Sequence, residues 1–70
     1  MKFYVMDYSG HSTVEFSKDE TTEAMAKFNE IVATGSTAAT RKAGDKYYTV
    51  TKSFDPTADE TLFVPRMQGG

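Results

Sequence analysis

Cysteine is absent from this 70-residue chain, and histidine occurs once. Without cysteine there is no disulfide, no thiolate nucleophile and no cysteine-ligated zinc, so a fold this small must hold by packing alone. That absence fits the reducing cytoplasm, which is the expected location. No apolar run approaches the roughly 20 residues that cross a bilayer. The N-terminus carries Lys2 and then strand-like alternation, where a secretion signal would have an apolar stretch. A membrane partner is therefore not expected. Nor is there a basic run such as phosphate backbones attract: eight Lys and Arg stand scattered against ten Asp and Glu, a formal charge of −2. Nucleic acid is not an expected partner either.

What is present suits one domain. Seventy residues cannot supply two cores, and a domain of this size buries only about 60% of the surface its unfolded chain exposes. A deep substrate cleft is accordingly not expected. Phe3 and Val5 alternate with Lys2, Tyr4 and Met6, the period of a strand with one buried face. Turn chemistry within Asp7–Ser12 and a second alternation through Val14 and Phe16 predict a hairpin. Ser17 stands three residues before Glu20, the spacing of a capping box, with Asp19 as an alternative cap. From there Ala24, Met25, Phe28, Ile31 and Val32 recur at intervals of three and four, which predicts one amphipathic helix over residues 19–34 closed by Gly35.

Residues 37–42 are a weaker strand candidate. Gly44-Asp45 then turns into a strand expected over Lys46–Thr51, with Tyr48, Val50 and Phe54 on one face. Asp55-Pro56-Thr57 breaks the pattern. A last strand runs from Thr61 to Val64, and Pro65, which has no N–H to donate, ends it. The order predicts an α+β fold, one sheet face burying the helix and the other left wet. The expected core is Phe3, Val5, Val14, Phe16, Met25, Phe28, Val32, Val50 and Leu62.

The opening MKFYVMDYSGHS and the closing DETLFVPRMQGG resemble the two ends of ubiquitin. Shared features are an initiator Met at the start of strand one, a glycine in the first turn, an apolar strand through Val64, an Arg-bearing tail and a terminal Gly-Gly. The same end is similar to that of the β-grasp sulfur carriers of molybdopterin and thiamine synthesis. The resemblance spans residues 1–34 and 59–70. It implies a β-grasp fold with a mixed four- to five-stranded sheet on one helix, a domain over residues 1–65 and a flexible tail over 66–70.

The resemblance also implies that the chain is a substrate and not an enzyme. A carboxylate acylates poorly until its oxygen becomes a better leaving group, so the Gly70 carboxylate would be adenylated by a partner activating enzyme that uses ATP. The acyl group would then pass to a target lysine, or to a sulfur-transfer enzyme to become a thiocarboxylate. Gly69 and Gly70, lacking Cβ atoms, give a tail narrow enough to thread a channel. Lacking cysteine, the chain cannot hold the thioester itself. No cofactor is implied, and a monomer is expected. Ubiquitin's partner-binding patch corresponds here to Tyr8 and Val64, with Arg66 beside them in the tail.

Other polar residues read as ordinary design. His11 is taken as an exposed turn residue without companions for a metal site. Asp19, Glu20 and Glu23 suit the positive end of a helix. Ser9, Ser12 and Thr13 lack a placed base. The tyrosines Tyr4, Tyr8, Tyr47 and Tyr48 are expected in part on the wet sheet face, as a partner-binding surface. The competing expectation is a protein-binding module or small inhibitor that uses that face or the sheet edge, its glycine tail merely disordered.

Overall fold

The computed structural model describes residues 1–7 and 10–65. Strands β1 (Lys2–Asp7) and β2 (Gly10–Glu15) form the first hairpin. A short 3-10 turn, Lys18–Glu20, leads into the helix α1 (Thr21–Ala33), and β3 (Thr37–Arg41), β4 (Thr49–Thr51) and β5 (Glu60–Val64) complete the chain. The five strands lie in the order β2-β1-β5-β3-β4. Strands β1 and β5 run parallel and the other neighbours antiparallel. With α1 packed on one face, this is the small α+β domain that the element order predicts, in the β-grasp-like layout that the resemblance implies.

The helix begins where its capping residues dictate. The Ser17 N–H donates to Glu20 Oε1 at 2.9 Å, and the Glu20 N–H to the Ser17 carbonyl at 3.0 Å. The first turn is therefore 3-10, and α-helical bonding starts two residues later than the periodicity predicts. At the other end the Thr34 and Gly35 N–H groups close on the Ile31 and Val32 carbonyls. Gly35 takes φ +99°, a conformation side-chain-bearing residues rarely adopt.

Ala24, Phe28 and Ile31 of α1 pack on Phe3 of β1, Ala38 of β3 and Phe63 of β5. Phe3, Phe28 and Phe63 are fully buried. Phe63 sits edge-to-face with Phe3 at 5.1 Å and with Phe28 at 5.5 Å, offset geometries that aromatic quadrupoles favour. Val5, Val14, Phe16 and Val32 line this cluster from its rim, as does Phe54, whose ring meets Phe28 at 5.7 Å.

Three residues expected inside lie elsewhere. Met25 is 45% exposed, because the buried helical stripe runs through Ala24, Phe28 and Ile31 and leaves position 25 to one side. Val50 is 69% exposed; it pairs with Ala39, whereas the buried Ala38 faces the helix. Leu62 is only half-buried, because Thr61 and Phe63 take the helix side of β5 and turn Leu62 to the other.

Two turns also differ from expectation. His11 belongs to β2, opposite Met6, because the first turn is shorter than the Asp7–Ser12 span read from composition. Lys46–Tyr48 are not strand: β4 is confined to Thr49–Thr51, since Arg41 Nη1 donates to the Asp45 carbonyl at 2.9 Å and holds the preceding bend. The Asp55-Pro56-Thr57 break is a turn in which Asp55 Oδ1 accepts both the N–H and the hydroxyl of Thr57. No helix among the described residues is long and apolar enough to cross a membrane.

Candidate functional site

Strand pairing fixes what the helix-free face presents, because residues opposite each other in a sheet share a face. Around Tyr4 the register aligns Thr13, Tyr4, Leu62, Ala39 and Val50, one residue from each of the five strands. Two residues along, toward the start of β1 and β5, it aligns Glu15, Lys2, Glu60 and Arg41. An apolar row and a row of alternating charge thus lie side by side. Beyond the apolar row, in the direction of the chain's end, stand Met6, 44% exposed, and Val64, half-buried and paired with Thr37.

The charged row is tied together. Lys2 Nζ lies 3.4 Å from Glu15 Oε1. Glu60 Oε1 accepts from Arg41 Nε at 3.2 Å, Arg41 Nη2 at 3.0 Å and the Tyr48 hydroxyl at 2.8 Å. The Arg41 guanidinium also stands 5.9 Å from the centre of the Tyr48 ring, within cation–π range. These bonds hold the Glu60 carboxyl below its ordinary pKa, the Tyr48 hydroxyl being the largest cause and the Arg41 bond next. Burial and the bond to Glu60 push the Tyr48 phenol above its usual value. Every charged member of the cluster has a partner, so its visible task is to clamp Tyr48 and the 42–48 segment onto the sheet.

The tyrosines divide. Tyr4 stands in the apolar row, and Tyr48 reaches the same face through its hydroxyl. Tyr47 is 80% exposed within the bend. Of the residues tied to the ubiquitin patch and to the tail, Val64 is the one whose place is described: it closes β5 on the open face, immediately before Pro65. Tyr8, Arg66, Gly69 and Gly70 lie outside the described residues.

The sequence points to neither Leu62 nor Val50 on this face, whereas the alternation of β1 carries the signal for Met6. Among the described residues no group of three or more His, Cys, Asp or Glu side chains is disposed to hold a metal ion. No family profile, curated protein or solved structure matches the chain. The open face and the end of β5 are therefore the features on which a functional reading must stand.

The geometry at that end is simple. β5 lies between β1 and β3 in the centre of the sheet and runs from the charged row at Glu60, through the apolar row at Leu62, to Val64. β5 thus ends at Val64, before Pro65, beyond the apolar row of the open face.

Proposed function

We propose that the chain is a ubiquitin-like modifier or sulfur carrier acting in the cytoplasm through a Gly70 carboxylate, where the chain ends at Gly70 or is processed to it. The supporting observation is where β5 ends. This central strand, paired on both sides, finishes at Val64 beside the apolar end of the sheet face that no described helix covers. Five residues beyond Pro65 reach at most about 18 Å when drawn straight, so an enzyme acting on Gly70 must come close to that face. The apolar row and Val64 then serve as its footing, while Gly69 and Gly70 pass a narrow channel to the α-phosphate of ATP.

In the first step a Gly70 carboxylate oxygen attacks that α-phosphate and pyrophosphate leaves, giving an acyl-adenylate. In the second, a partner's thiolate, a lysine amine or a sulfur donor attacks the Gly70 carbonyl and AMP leaves. The bases and nucleophiles belong to the partners, and this chain supplies the acyl group. Exchange of labelled pyrophosphate into ATP, in lysate of the source cell, tests the first step, which both fates share. Exchange is expected to rise on adding the full chain and not on adding a chain shortened by Gly70. Equal exchange with both would remove the proposal.

The exposure of Val50 and Met6 favours a second reading, a binding module that uses the open face without its tail. On that reading a partner captured by the full chain is retained equally by a chain ending at Pro65.

A further inference from the structure

Among the described residues the sheet ends in two unpaired edges, and they differ. β4 offers three residues, whereas β2 offers six, with neither proline nor lysine along it, the devices that commonly blunt an exposed edge. Its hydrogen-bonding phase follows from the start of the hairpin. The Met1 amine donates to the Phe16 carbonyl at 3.0 Å, and the Phe16 N–H to the Met1 carbonyl at 2.8 Å. Bonded and non-bonded pairs alternate along an antiparallel ladder. Gly10, Ser12 and Val14 therefore spend their backbone groups on Asp7, Val5 and Phe3, while the N–H and C=O of His11, Thr13 and Glu15 point outward.

This edge is complementary to itself. A two-fold axis through Thr13, perpendicular to the sheet, sets Thr13 against Thr13 of a second copy and His11 against Glu15, twice. All three outward-facing residues fall in bonding pairs in that register, and an axis through Ser12 or Val14 loses one of them. His11 and Glu15 lie on the open face with Lys2. The charged row Arg41, Glu60, Lys2, Glu15 would thus continue into His11 of the second copy, placing a donor beside Glu15 on the side Lys2 leaves free. We infer that β2 is the interface through which two copies of this chain pair, antiparallel about Thr13, into one ten-stranded sheet. Both helices stand on one side of it and the two apolar rows run together on the other. The monomer expected from the sequence is then the dilute form. This inference does not rest on any activity at Gly70.

An edge-only interface belongs among small, weak ones, with a dissociation constant between about 0.01 and 1 mM. The test is sedimentation equilibrium of the full chain from about 10 µM to about 2 mM, with amide hydrogen exchange at both ends of that range. The expected result is a mass rising toward twice the 7.8 kDa of one chain, with the Thr13 amide protected only at high concentration and the Ser12 and Val14 amides protected throughout. Thr13→Pro removes an outward donor without touching a bond to β1 and should abolish the dimer. Two substitutions that leave the fold's own bonds intact give the sign: His11→Lys should tighten pairing about fivefold and His11→Glu weaken it about as much. A chain monomeric at 2 mM, a dimer in which the Thr13 amide still exchanges freely, or one indifferent to the charge at position 11 would overturn the inference.

Discussion

Leu62 and Phe63 are neighbours on the central strand, and the structure assigns them opposite fates. Phe63 is fully buried between the rings of Phe3 and Phe28, and Leu62 is half-buried on the open face. Truncating Phe63 to alanine removes a ring wholly shielded from water and two edge-to-face contacts. Such changes cost about 3–5 kcal/mol. A domain of 70 residues has a total stability of roughly 3.5–10 kcal/mol, so Phe63→Ala should remove between about a third and all of it. Leu62→Ala removes a side chain that already meets water and should cost about 1–2 kcal/mol. Urea denaturation followed by circular dichroism, with both variants and the parent under one buffer, measures the two costs. Equal losses, or a larger loss for Leu62→Ala, would mean that β5 sits one residue out of phase and that the open face described above is the buried one.

The carboxylates predict an acid limb. Glu60, bonded by Tyr48 and Arg41, Asp55, bonded by Thr57, and Glu20, bonded by Ser17, all hold lowered pKa values. Each binds its proton more readily in the unfolded chain. Their stabilisation is therefore complete above the unfolded values of about 4–4.5 and is lost as pH falls through the lowered folded ones. The melting temperature should be level from pH 7 to about 5 and fall below that, with a shallower fall in Glu60→Gln; a midpoint that holds or rises between pH 5 and pH 3 would contradict it. Val50→Lys, on an exposed edge position, should change stability by less than about 0.5 kcal/mol. A loss of several kcal/mol in the same denaturation assay would return Val50 to the core.

Much of the architecture is legible in the sequence because its signals are redundant. α1 has a capping box at Ser17 and Glu20, a stripe through Ala24, Phe28 and Ile31, and Gly35 at its end, so an error in any one leaves the element in place. β5 lacks that redundancy. Leu62-Phe63-Val64 is a run of three apolar residues that fits either phase, and only the neighbouring strands decide which side chain meets the helix. Ala38 and Ala58 are buried, yet neither sits in an apolar periodicity that marks it: Ala38 adjoins Ala39 between two threonines, and Ala58 stands between Thr57 and Asp59. Val50 misleads because an edge strand can turn an apolar residue outward at little cost. The open face follows from register, a non-local property that no local spacing encodes. The activity proposed for Gly70 rests on resemblance at the chain's two ends and on the place in the sheet where β5 ends.

That activity is tested most directly by the intact mass of the purified chain, and of a chain lacking Gly70, after incubation with ATP and lysate from its source. The account predicts a change confined to the full chain, either conjugates of higher mass or replacement of one carboxylate oxygen by sulfur. A conjugated lysine would carry Met-Gln-Gly-Gly after trypsin cuts at Arg66. If both chains return unaltered from a lysate that activates a known β-grasp carrier, the proposal fails and the open face stands as a binding surface alone.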